Sequence, residues 1–272
     1  MKFQIVLFAT IVTSCLAADV DLESYDDIDS RIIGDIYAED DLPSVVYITK
    51  GKSGETATTI QCVGTLINPV FVLTSASCIV GGLPEDFHVV AEAADFNEGV
   101  TYTVVDVIIH ENYEDNYEKY WPHDIGLLQL DVQELNGTIR NIADIPKRDH
   151  ELPDTGSVYG WGATCGFCGP TSGLKVINLQ VYNRQDCTST YYDGKAPADS
   201  SFCAGNIENK ILGVCDGDSG APLLYNGTIY GVASWMSYPC GSVPAVFTDV
   251  QSHVEWIVRK MSTTPLTPLV SA

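Results

Sequence analysis

Short apolar or alternating runs, each closed by turn-forming residues, are the feature that most restricts this chain. They fall at residues 45–49, 70–74, 102–109, 125–130, 156–161, 179–181, 229–235 and 246–250, with Gly, Pro, Asn and Asp between them. That spacing fits an all-β barrel or sandwich rather than alternating strand–helix units. One helix is expected near the end, over residues 250–261, where Val254, Ile257, Val258 and Met261 fall on one face. Residues 262–272 hold two prolines and read as a frayed tail. No fixed-period repeat or linker divides the chain, and 272 residues at 45% apolar content suffice for a full core.

Charge removes several classes of partner. The chain carries 14 Lys+Arg against 36 Asp+Glu, a formal net charge of −22. DNA, RNA and anionic membrane surfaces would all repel it. Aromatic residues at 10% argue against disorder. No apolar run approaches the ~18 residues of a membrane-spanning helix.

The first seventeen residues read as a signal peptide. Lys2 gives a positive start, residues 5–12 are apolar, and Cys15-Leu16-Ala17 offers small residues for a cut after Ala17. Loss of Cys15 leaves eight of the nine cysteines, an even number suited to a secreted, disulfide-bonded chain. Residues 18–31 are acidic, with Asp19, Asp21, Glu23, Asp26, Asp27 and Asp29 against Arg31, and read as an exposed leader. Arg31 before Ile32-Ile33-Gly34 is open to two readings, a processing site or an ordinary surface arginine.

The chemistry centres on Gly217-Asp218-Ser219-Gly220. A serine between glycines in a tight turn can present its hydroxyl while neighbouring amides converge on an oxyanion; taken alone, the motif is equally a simple turn. Its companions are Asp124 at the head of an apolar strand, Cys62 and Cys78 around Leu73-Thr74-Ser75-Ala76-Ser77, Gly160-Trp161-Gly162, and Ser234-Trp235.

In that order and at those spacings, the set resembles the chymotrypsin/trypsin-like serine protease family from Ile32 to about Met261. The resemblance implies two six-stranded antiparallel β-barrels, a C-terminal helix and a cleft between the barrels. It implies that Ser219 stands at the nucleophile position and Asp124 at the buried acid. The amides of Gly217 and Ser219 would form the oxyanion hole. Cleavage after Arg31 would free Ile32, whose ammonium would pair with Asp218. It also implies the bridges Cys62–Cys78, Cys187–Cys203 and Cys215–Cys240. Cys165 and Cys168 remain, and a small local disulfide is expected between them rather than a redox pair or half a zinc site.

One position departs from the family pattern. Where that pattern has Thr-Ala-Ala-His-Cys, this chain has Thr74-Ser75-Ala76-Ser77-Cys78, so Ser77 replaces the general base. A hydroxyl cannot take a proton near neutral pH as imidazole does. Removing that histidine costs on the order of 10⁶ in kcat in a protease of the same chemistry. The five other histidines, His88, His110, His123, His150 and His253, read as surface or satisfied residues and not as substitutes.

The pocket implied by the resemblance is altered too. Gly213 at its base carries no carboxylate, so a preference for Lys or Arg is not supported. Met236 and Ala245 replace wall glycines beside Ser234 and Trp235, and Asp216 adds negative charge at the rim. A narrowed pocket for small side chains and a disused, drifted one remain equally open. Asn136 and Asn226 head N-glycosylation sequons. No cofactor and no metal is implied, calcium included.

The expected product is a secreted, monomeric protease homologue acting by protein binding, as a decoy, cofactor or inhibitor. Its expected partners are proteases, protease inhibitors or immune-cascade components, with no nucleic acid and no membrane. The alternatives are an active endopeptidase with an unusual base and a preference for small residues, or a storage or structural protein.

Overall fold

The apolar runs are dense because many of these strands bury both faces. In β1 (Val45–Lys50), Val46 and Ile48 enter the interior of one barrel, while Val45 and Tyr47 join a second cluster that continues into the other half of the molecule. In β3 (Phe71–Thr74), Val72 points one way and Phe71 and Leu73 the other. A period of two with two buried destinations gives an unbroken apolar string rather than a half-polar one.

The structure, a computed structural model, describes residues 43–51, 60–96, 98–131, 141–147, 151–163, 169–192, 198–206 and 212–265. Its strands close into two antiparallel barrels. The first runs β1–β2–β3–β6–β5–β4, adding β2 (Ile60–Asn68), β4 (Phe87–Ala91), β5 (Val100–Ile109) and β6 (Gly126–Leu130). The second runs β10–β11–β12–β9–β8–β7, from β7 (Thr155–Gly160), β8 (Lys175–Tyr182), β9 (Ser201–Gly205), β10 (Pro222–Tyr225), β11 (Thr228–Trp235) and β12 (Ala245–Asp249). Closure leaves neither sheet with a free edge.

The seam between barrels is apolar and keyed. Trp161 is fully buried, meets Tyr47 edge-on at 5.3 Å and donates Nε1–H to Ala94 O at 3.3 Å. Asp95 bridges to Gly173, and Leu174 N donates to Ala94 O at 2.7 Å. Among the described residues, three disulfides are formed: Cys62–Cys78, Cys187–Cys203 and Cys215–Cys240, with Cα separations of 6.1, 5.9 and 5.4 Å. Closing loops of this length contributes about 3 kcal/mol each in the chain-entropy picture.

The helices are short. α1 (Ala76–Ile79) turns off the end of β3, and α2 (Arg184–Asp186) is capped by the Asn183 side chain, which accepts from Asp186 N at 2.9 Å. A 3₁₀ turn (Gln251–His253) leads into α3 (Val254–Thr263). The buried stripe of α3 is Trp256 and Ile257 following His253, whereas Val258 is 45% exposed. The face expected from sequence was therefore displaced by one position, because Trp256 offers more apolar surface than Val258. The helix also extends to Thr263, beyond the expected start of the tail at 262. Among the described residues, no helix is long and apolar enough to cross a membrane.

Candidate active site

The end of β3, the start of β6 and the end of β11 bring Ser77, Asp124 and Ser234 together. Asp124 is 1% exposed. Its Oδ1 accepts the Ser77 amide at 2.7 Å, and its Oδ2 accepts the hydroxyls of Ser77 at 2.9 Å and Ser234 at 2.6 Å. Thr248 Oγ1 donates to the Asp124 carbonyl at 2.8 Å. Burial pushes the Asp124 carboxyl up to about 6, opposed by the hydrogen bonds from Ser234, Ser77 and Ala76. The residue expected at the base position does reach the acid, but it brings a hydroxyl whose proton is directed at Asp124. The chain enters this acid through left-handed residues, Tyr120 (φ 55°), Trp121 (φ 46°) and His123 (φ 55°), an uncommon cluster for side chains of this size.

Ser219 sits on a turn made possible by two glycines, Gly217 at φ +90° and Gly220 at φ +83°. Ser219 O accepts from Val63 N at 2.8 Å and Gly220 N donates to Ala233 O at 2.8 Å, so the turn is pinned to both barrels. Among the described residues, the amides of Gly217 and Ser219 donate to no acceptor, leaving them available to an oxyanion.

Asp218 turns inward. It is 1% exposed and accepts from Gly162 N at 2.8 Å and Cys215 N at 3.0 Å. A Cβ at either Gly160 or Gly162 would run into its carboxylate, which explains the glycines flanking Trp161. Burial is the main cause raising its carboxyl to about 7, with Asp216 adding a like charge.

Both carboxyls thus titrate above their ordinary value of 3.8, so between that value and neutrality the folded chain binds protons that the unfolded chain has released. The contribution of these two carboxyls is full below about pH 4 and is lost as pH rises through about 6 and about 7. Relative to Asp218→Asn, denaturant midpoints of the chain with its leader intact are expected to drop between about pH 4 and pH 8 by the equivalent of a few kcal/mol. A flat difference would mean that a cation already neutralises Asp218.

Beside Ser219 lies a cavity of about 230 Å³, lined by residues including Val214, Asp216, Gly217, Ser234, Trp235 and Met236. Tyr238 also lines it and donates its phenol to the Asp216 carboxylate, a strap across the mouth that the sequence reading did not foresee. Gly213, expected at the base, and Ala245, expected on the wall, do not line this cavity. Gly213 packs against Gly241, where a Cβ would have no room, and Ala245 is buried opposite Ala204 in the β12–β9 pair. Trp235 carries an aromatic rim, stacked on Tyr120 at 5.4 Å, edge-on to Tyr192 at 5.1 Å and tilted against Trp121 at 6.2 Å.

The histidines fall elsewhere. His88 Nδ1 lies 2.9 Å from its neighbour's carbonyl, Phe87 O. His110, His123 and His253 pack on one another, which the sequence reading missed. Burial, then the neighbouring His253 and His123, lowers His110 to about 4, and burial lowers His253. Among the described residues, no histidine hydrogen-bonds to Asp124 or Ser219. Asn226 is exposed at φ 49° in the Asn-Gly turn between β10 and β11. Arg31, Ile32, Asn136, His150, Cys165 and Cys168 lie outside the described residues.

Comparison with known proteins places these features in context. The Trypsin family model matches residues 37–257. Trypsin theta of Drosophila melanogaster is 33% identical over 211 residues, 74% of this chain and 77% of that protein. The snake venom serine protease catroxase-1 of Crotalus atrox is 31% identical over 208 residues, 72% of this chain and 76% of that protein. Among solved structures, human heparin binding protein superposes with a TM-score of 0.71 at 26% identity, covering 86% of this chain and 98% of its own.

Proposed function

The chain belongs to the trypsin family of serine proteases, and from that premise we propose that it is a secreted member that binds proteins without hydrolysing them. The observation that carries this reading is the contact at Asp124: a serine amide and hydroxyl, not an imidazole, meet its carboxylate. Ser219 then has no general base to take its proton and remains a weak nucleophile at neutral pH. The remaining oxyanion turn and binding cleft sustain ~10³–10⁴ over water, too little for practical proteolysis.

The reading assigns residues 1–17 to a signal peptide, 18–31 to an acidic propeptide and 32–261 to the protease-like domain. Cleavage after Arg31 would deliver the Ile32 ammonium to Asp218, and neutralising that carboxylate would flatten the pH profile described above. The partner class is protein: a protease, a protease inhibitor or a component of an immune cascade. Support for protein binding comes from the surviving cleft, with its aromatic rim around Trp235 and the Tyr238–Asp216 strap.

The test is direct. The Arg31-cleaved protein is expected to turn over no chromogenic peptide above background and to resist fluorophosphonate labelling at Ser219. Turnover near the ~1–10³ s⁻¹ of ordinary enzymes, abolished by Ser219→Ala, would overturn the reading. N-terminal sequencing of secreted material, expected to give Ile-Ile-Gly-Asp, tests the processing step separately.

A further inference from the structure

Three histidines from separate segments share one half-buried site. His110 follows β5, His123 precedes β6 and His253 stands at the head of α3, and each offers a ring nitrogen within 4.8 Å of the others. We propose that they form a binding site for a late divalent transition ion, with Zn²⁺ the representative.

The geometry is close to what such an ion requires. His123 Nδ1 and His253 Nε2 are 3.1 Å apart. Two nitrogens at about 2.0–2.1 Å from a tetrahedral zinc lie about 3.3 Å from each other. The pair therefore needs almost no movement. His110, half-buried and stacked on His123 with centroids 4.7 Å apart, closes the third position by rotating its side chain.

Hydrogen bonding prepares the donors. His253 Nδ1 lies 2.7 Å from the Asp249 carbonyl, so it carries the proton and Nε2 presents its lone pair towards His123. A ligating histidine typically donates its other N–H to a carbonyl in this way. His123 Nδ1 holds the proton shared with His253, and on metal binding that proton moves to Nε2 of the same ring while the ion takes its place. His110 Nδ1 accepts from Asn112 N at 3.2 Å, an exposed contact that gives way readily. The neighbouring Glu111 carboxylate is occupied by Lys260 at 2.7 Å and by Trp256 Nε1 at 2.7 Å. An all-imidazole set selects Zn²⁺, Cu²⁺ or Ni²⁺ over Ca²⁺ and Mg²⁺, and water completes the fourth position.

The ion would join the segment 110–123 to α3. That segment contains Tyr120 and Trp121, which pack on Trp235, so the site would hold the aromatic rim of the cleft in place. The proposal is independent of whether Ser219 reacts.

The experiment titrates ZnCl₂ into the chelator-treated full chain by calorimetry, with Co²⁺ absorption reporting coordination. One ion per chain, a Kd in the micromolar range or below, and a four-coordinate Co²⁺ spectrum are expected. His110→Gln and His253→Gln should each weaken binding at least about tenfold. If His253→Gln fails to fold by circular dichroism, His110→Gln, on a half-buried side chain, carries the comparison alone. Failure of the wild-type chain to bind Zn²⁺, or equal binding by folded His110→Gln, overturns the site.

Discussion

Ser77→His is expected to convert the chain into a weak peptidase, with turnover on the order of 10²–10³ above the wild type. An imidazole there would replace the Ser77 hydroxyl on Asp124 Oδ2, now held at 2.9 Å, while the residue-77 amide keeps Oδ1 at 2.7 Å. Loss of the histidine from such a unit costs on the order of 10⁶, and the gain falls short of that because the cavity beside Ser219 is narrowed by Met236 and strapped by Tyr238 and Asp216. Substrates with Ala or Gly before the scissile bond should be cut first, and adding Met236→Gly should raise kcat/KM further. Ser219→Ala in the same background should return the rate to baseline. Efficient cleavage of large aromatic or basic substrates by the single mutant would refute the pocket argument. An inert double mutant with an intact fold would mean that the Gly217–Ser219 turn cannot serve as an oxyanion hole.

Gly220→Ala is expected to destabilise the protein by on the order of 3–5 kcal/mol, a large share of the 5–15 kcal/mol that holds a typical domain together. The residue sits at φ +83°, which an L side chain adopts at a cost of about 1–2 kcal/mol. Its new methyl would also overlap Val63 O and Thr74 Oγ1, which are themselves hydrogen-bonded at 2.8 Å. Gly227→Ala makes the control. It has a similar φ of +76° but open space around it, and should lose only about 1–2 kcal/mol. Urea midpoints measured side by side separate backbone strain from collision. Equal losses would show that the barrel seam yields at Val63.

Much of the barrel architecture could be read from the chain, and the places where it could not are instructive. The runs at 45–49, 102–109 and 229–235 correspond to β1, β5 and β11 because β-branched and aromatic residues predominate in them. β2 was missed. It contains Gly64, required because a Cβ there would lie 2.5 Å from Val72 Cγ1, and a glycine in a strand reads locally as a break. β4 follows Gly81 and Gly82 closely, β9 ends in Gly205, and β10 begins at Pro222, where only the first position of a strand accepts proline. The full count of twelve came from the family resemblance and not from periodicity.

The site divides in the same way. Asp124, Ser219 and Asp218 stand in short motifs whose neighbours announce them, and the glycines around Trp161 are the visible imprint of Asp218. The Tyr238–Asp216 strap and the meeting of His110, His123 and His253 have no local signature. They arise because closing the barrels brings distant segments together, and His110 and His253 lie on opposite sides of the whole second barrel in sequence.

Asp124 is more than one member of a reactive set. Ser234 and Thr248, from the second barrel, both donate to it, and the Ser77 amide ties it to α1. Its side chain and carbonyl are therefore a rivet between the two halves of the molecule. This sets an order in which a descendant of an active enzyme can shed its parts. The residue at position 77 lies on the exposed side of the arrangement and can change with little damage to the fold, whereas an apolar replacement at 124 would leave the Ser234 hydroxyl and the residue-77 amide without their acceptor. Catalysis can thus be lost in a single substitution while most of the catalytic apparatus persists, retained for architecture. On the proposed reading, the way back to chemistry is one residue long.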